Sequence, residues 1–120
     1  MKTVRVVNLT RNCVLCERCE IADNFWTRGK GLLGRASLPP NEGIWLSPGA
    51  SIHMFWMKFP IDVVFVTKND VVADFVENIA PGKTYAAKDK GAGKPFAALE
   101  IAAGQIAARG LAIGDQLKKE

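Results

Sequence analysis

The chain has 120 residues and a mass of 13.0 kDa, which suits one domain spanning residues 1–120 and leaves no room for a second. Apolar residues make up 48% and charged residues 23%; this balance excludes a disordered chain, and the apolar runs are too short to span a membrane. Sixteen Lys and Arg against twelve Asp and Glu leave a charge of +4, too small an excess to call for a nucleic-acid partner.

The opening Met1-Lys2-Thr3-Val4-Arg5 alternates polar and apolar residues and lacks the long apolar stretch of a secretory leader, so a cytoplasmic protein without a membrane partner is expected. Residues 4–9 alternate as a strand and end in the turn-prone Thr10-Arg11-Asn12. Residues 13–21 read as a second strand. Asp23 suits a helix N-cap, and Phe25, Trp26, Gly29, Leu32 and Leu33 fall on one face of a helix within residues 23–33, which Gly34 can end in a left-handed conformation. Short strands follow at residues 43–46 and 51–58. The clearest element is a hairpin: two β-branched runs, residues 61–67 and 71–76, flank Lys68-Asn69-Asp70. Residues 81–95, rich in glycine and lysine around Tyr85, predict a long mobile loop. A strand at 96–101, a short helix at 103–109 closed by Gly110, and a strand at 116–118 complete the chain. This spacing predicts a mainly β, α+β domain whose antiparallel or mixed sheet curls into a small barrel.

Three cysteines, Cys13, Cys16 and Cys19, share a spacing that would suit zinc or an iron–sulfur cluster in a loop. In a regular strand, however, Cys16 faces away from Cys13 and Cys19, and a fourth ligand is missing. Buried thiols with no metal and no cofactor are therefore expected. In the lysine loop, Gly82-Lys83-Thr84 lacks the first glycine of a phosphate-binding loop, and Gly93-Lys94 is followed by Pro95 where a hydroxyl is needed. Gly49-Ala50-Ser51-Ile52-His53 lacks the second glycine of a nucleophile elbow, and His53 is the only histidine.

Two carboxylates are more informative. Asp62 and Glu100 each interrupt an apolar strand, where an unpaired charge costs several kcal/mol, so each must meet a cation or backbone donors. Arg28 and Arg35 are the preferred partners, with His53 a third.

The string Ala22-Asp23-x-Phe25-Trp26-x-Arg28-x-x-Gly31-Leu32-Leu33-Gly34-Arg35 resembles the signature of a widespread prokaryotic family of small uncharacterised proteins, the ACR domain-of-unknown-function family. The likeness continues through Gly43-Ile44-Trp45-Leu46, residues 51–57, Phe59-Pro60-Ile61-Asp62-Val63-Val64-Phe65, Leu99-Glu100-x-x-x-Gly104 and Gly110-x-x-x-Gly114-Asp115. It implies a compact β-rich domain and brings no established activity. Many members of that family look exported or lipid-anchored, and the three cysteines do not belong to its signature. The closing Gly114-Asp115 also resembles the Gly-Asp turn of small cradle-loop barrels, where glycine permits the tight turn and the aspartate bonds backbone amides.

Three readings follow. The first is a binding or accessory domain whose polar pocket, built from Arg28, Arg35, His53, Asp62 and Glu100 with Trp56 or Trp45 as its wall, takes a small anionic or polyhydroxylated ligand. The second is a hydrolase acting on a glycan or another polar polymer with Asp62 and Glu100 as acid and base. The third is a structural, partner-binding barrel. Carboxylates facing one another across a cleft would favour the enzyme.

Overall fold

Residues 2–23 and 32–120 are described by the structure, a computed structural model. The strands are β1 (Thr3–Asn8), β2 (Cys13–Ala22), β3 (Glu42–Leu46), β4 (Ser51–His53), β5 (Ile61–Val66), β6 (Val72–Ile79), β7 (Thr84–Ala86), β8 (Ala97–Ala102) and β9 (Leu117–Lys119), with a short helix at Gln105–Arg109. Seven of them form one sheet in the order β6-β5-β8-β3-β2-β1-β9. Neighbours are antiparallel except β2 and β3, which run parallel. The sheet curls until its edges meet: Val71 bridges Gln116, Val72 N–H donates to the Asp115 carbonyl at 2.8 Å, and Leu117 N–H donates to the Asp70 carbonyl at 2.9 Å. The result is the curled, mainly β domain that the strand spacing predicts.

The hairpin at 61–76 forms as expected. Asp70 takes a left-handed conformation (φ 63°), and the Thr67 hydroxyl accepts from the amides of Asn69 and Val71. The second helix is also present, closed by Gly110 at φ 64°. The expected helix within residues 23–33 falls mostly on residues 24–31, outside the described residues.

Two expectations are corrected. The strand predicted at 51–58 stops at His53, because the chain turns back on itself with Met57 N–H donating to the Met54 carbonyl. Residues 81–95 do not form one long loop. β7 runs through them and pairs with β4, and buried Asp74 accepts from the Tyr85 hydroxyl and the Lys88 amide.

Cross-strand partners share a face of the sheet, so the registers sort every side chain to one of two layers. The inner face gathers Val6, Leu15, Trp45, Val64, Leu99 and Ile101 into the barrel core. The outer face gathers Ile44, Leu46, Val63, Phe65 and Ala98 beneath a covering layer that includes Met54, Ile52 and Tyr85. Tyr85 of β7 stacks on Phe65 of β5 at a centroid distance of 5.7 Å, which seats the small β4–β7 sheet on this outer face.

The cysteine expectation is corrected by the same analysis. From Val4↔Cys19 to Val6↔Cys16, β2 uses three residues where β1 uses two, and from Val6↔Cys16 to Val7↔Val14 it uses two where β1 uses one. Each extra residue is a β-bulge that shifts the alternation. Leu15, Cys16 and Cys19 therefore all enter the inner core instead of alternating, with the Cys16 thiol donating to the Asn41 carbonyl at 3.7 Å and the Cys19 thiol to the Glu20 carbonyl at 3.8 Å. The neighbouring Cys16 thiol, with burial, pushes the Cys19 thiol upward.

Asp62 lies on the inner face, opposite Ile101, and is fully buried. Its carboxylate accepts from the amides of Asn78 at 2.8 Å, Gly104 at 3.1 Å and Ile106 at 2.9 Å. The last two donors open the short helix, whose N-cap Gly104 has no side chain to offer, so a strand carboxylate caps the helix from across the core. Asp62→Ala should leave three backbone amides, that of Ile106 buried, without their acceptor and lower the unfolding free energy by on the order of 3 kcal/mol. Asp62→Asn, which retains one acceptor oxygen, should cost less. Denaturant titration reads both; an unchanged midpoint for Asp62→Ala would show that the amides find other acceptors.

Candidate functional site

Glu100 lies in β8 between Ile44 of β3 and Val63 of β5, and so on the outer face. Glu20 of β2 is the partner of Ile44 on the other side, which sets Glu20, Ile44, Glu100 and Val63 in one row across four strands. Glu42 lies two residues before Ile44 in β3 and so shares its alternation, and Arg35 bridges Glu20 and Glu42: one guanidinium nitrogen lies 3.0 Å from Glu20 and the other 3.8 Å from Glu42. Arg35 arrives there from the turn at Leu32–Arg35, where Gly34 adopts φ 86°.

Glu100 is 8% exposed, and among the described residues no donor bonds its carboxylate. Burial alone pushes it up to about 7. Of the expected arginine partners, neither serves Asp62, and for Glu100 only Arg35 can be placed. Arg35 is committed to Glu20 and Glu42, Arg28 lies outside the described residues, and Asp62 is satisfied by amides. Asp62 and Glu100 also point to opposite faces of the sheet, so they do not form a facing pair.

His53 and Trp56 belong to a different part of the outer layer. His53 ends β4 and is exposed, with its ring stacked on Phe55 at 5.1 Å and 27°. Phe55 meets Trp56 edge-on at 6.1 Å and 74°. Trp56 is 80% exposed and sits at φ 63°, a conformation that costs an L residue roughly 1–2 kcal/mol. The loop is held from below: Met54 N–H donates to the Lys83 carbonyl at 2.7 Å, and Gly82 N–H donates to the Met54 carbonyl at 2.8 Å, while the Met54 side chain is buried in the outer cluster. Trp45, the alternative wall, is buried in the inner core with the Lys119 ammonium 4.3 Å from its ring centroid, and it cannot meet a ligand on this face.

Phe55, Glu20 and Glu42 were not singled out by the sequence. Glu20 and Glu42 lie in segments whose alternation was legible, but only the parallel β2–β3 register sets them beside one another. Among the described residues no group of three or more His, Cys, Asp or Glu side chains is placed to hold a metal ion, and no helix is long and apolar enough to cross a membrane.

A curled seven-stranded sheet with a small two-stranded sheet seated on its outer face defines a mainly β, barrel-like class of protein. Residues 6–119 match the family described as Uncharacterized ACR, DUF192, and the chain belongs to that family. It is 32% identical over 123 residues to a UPF0127 protein of Thermococcus sibiricus, covering 96% of this chain and 74% of that protein. A crystal structure of a protein of unknown function from Novosphingobium aromaticivorans superposes with a TM-score of 0.79 at 29% identity, covering 97% of this chain and 83% of the other. One of a putative transcription regulator from Sinorhizobium meliloti gives 0.77 at 25% identity, covering 98% and 92%. The family's function is not established.

The position of Glu100 has a consequence for pH. Its folded pKa lies above the ordinary glutamate value, so the folded state holds a proton that the unfolded state releases between about pH 4.5 and pH 7. Stability should therefore fall as pH rises through that window, by up to about 3 kcal/mol from this group. Glu100→Gln should remove this component and leave the variant more stable than the parent at pH 8. Thermal unfolding of both proteins from pH 5 to pH 8 checks it; parallel profiles would show that Glu100 is solvated or paired.

Proposed function

We propose that this protein is a non-catalytic binding domain that takes a polyhydroxylated ligand, of the saccharide class, on its outer face. The observation that carries the reading is Trp56: a large indole held 80% exposed on a left-handed backbone, beside Phe55 and His53, in a loop fastened by hydrogen bonds on both sides. An indole so placed adds nothing to the core, whereas its flat apolar face suits the C–H face of a sugar ring. The same outer layer carries Arg35, Glu20, Glu42 and Glu100, donors and acceptors suited to hydroxyl groups. The glycan-hydrolase reading is disfavoured, because acid and base must flank one bond, and the sheet lies between Asp62 and Glu100.

Titration with neutral soluble oligosaccharides, followed by tryptophan fluorescence, tests the proposal. A saturable change is expected in the parent protein. Trp56→Ala should weaken binding by roughly tenfold or more while leaving the melting temperature nearly unchanged, because the side chain is exposed. No saturable response at millimolar saccharide, or a response that survives Trp56→Ala, would overturn it.

A further inference from the structure

A second site lies away from the outer-face carboxylates. A cavity of about 590 Å³ opens between the β5–β6 turn and the segment 92–96, within the ~300–1,000 Å³ range of small-molecule sites. Its charged lining consists of two cations, Lys68 and Lys94, with Asn69 as a polar neighbour and Val71, Pro95 and Phe96 as apolar walls. Lys90 and Lys119 are each committed to an aspartate, at 3.7 Å from Asp74 and 3.8 Å from Asp70. Neither Lys68 nor Lys94 has a carboxylate within ion-pair distance among the described residues. Lys68 instead holds its ammonium 5.3 Å from the centroid of the Phe96 ring, over one wall of the cavity.

The walls are built before any ligand arrives. Asp89 accepts from the amides of Gly91 at 2.8 Å and Gly93 at 3.1 Å, which folds the loop back on itself. Phe96 N–H donates to the Val66 carbonyl and Gly49 N–H to the Phe96 carbonyl, both at 2.7 Å, which fixes the far end. Gly93 sits at φ 126°, and a Cβ there would lie 2.9 Å from the Thr67 methyl group, so the loop reaches the hairpin turn only because residue 93 is glycine. The Gly93-Lys94 pair, which is no phosphate-binding loop by sequence, thus places a cation beside a preformed apolar slot.

We infer that this cavity binds a small organic anion with a planar apolar body, its ring between Phe96 and Pro95 and its charge between the ammonium groups of Lys68 and Lys94. Two unpaired cations without a lining carboxylate select for negative charge, and the aromatic and proline walls select against a bare inorganic anion.

Titration of the full chain with benzoate, benzamide and inorganic phosphate, read by two-dimensional NMR, tests this. Benzoate should bind saturably, with shifts centred on residues 67–71 and 92–96. Benzamide, which keeps the ring without the charge, and phosphate, which keeps charge without the ring, should each bind at least tenfold more weakly. Lys68→Ala and Lys94→Ala alter exposed side chains and should fold normally; each should weaken benzoate several-fold, and the double variant should abolish binding. Gly93→Ala should also weaken it by pushing the loop off Thr67. Equal binding of benzamide would overturn the charge requirement, equal binding of phosphate the ring requirement, and no saturable shift with benzoate the site itself. Retention of benzoate binding in Trp56→Ala would show that this site is separate from the saccharide surface.

Discussion

The carboxylate of Asp115 holds together the place where the sheet closes. One of its oxygens accepts from the Asn8 side chain at 2.9 Å, from Arg11 at 2.8 Å and from the Ala112 amide at 2.9 Å. Burial opposes its ionisation, but these donors outweigh burial and hold it below the ordinary aspartate range. Gly114, at φ 92°, lets the chain turn so that Asp115 can reach inward while its own carbonyl accepts from Val72. Gln116 adds side-chain bonds to the carbonyls of Asn69 and Leu117. A sheet with β6 at one edge and β9 at the other would otherwise present two open ladders to water and to other chains. The turn at 114–117 joins those edges and so gives the barrel an inside.

Once there is an inside, alternation along each strand assigns a job to each polar residue. Asp62 and Glu100 are in adjacent strands and each breaks an apolar run, yet they are one register step out of phase. That step sends Asp62 inward to cap a helix and Glu100 to the outer face. Satisfaction differs accordingly: Asp62 meets three amides, and Glu100 meets no donor among the described residues. A buried group that is fully hydrogen-bonded supports the fold, and Asp62 is such a group. The same separation divides the tryptophans, with Trp45 filling the core and Trp56 displayed.

The two ligand surfaces proposed differ in charge. The proposed saccharide surface rests on the exposed rings of Trp56, Phe55 and His53, which suit neutral hydroxyl-rich molecules. The cavity at the β5–β6 turn offers two lysines with no carboxylate partner among the described residues and an aromatic wall, which suits an organic anion. A formal charge of only +4 hides this contrast, because lysines such as Lys90 and Lys119 are spent on neighbouring aspartates.

Local patterning by itself determined the β-rich class, the hairpin at Lys68-Asn69-Asp70, the short helix ended by Gly110 and the burial of Asp62 and Glu100. Each of these depends on residues close in sequence: β-branched alternation, a turn residue that tolerates positive φ, or a carboxylate inside an apolar run. The resemblance to the ACR family also rested on linear motifs. Tertiary structure decided which way Cys16 faces, because two bulges in β2 arise from its pairing with β1 and leave no periodic mark. It also decided that Arg35 serves Glu20 and Glu42, since the parallel β2–β3 register joins segments some twenty residues apart. And it decided that Asp62 and Glu100 are not partners. Alternation specifies that a side chain is buried, but only strand register, set by contacts distant in the chain, specifies the face on which it is buried.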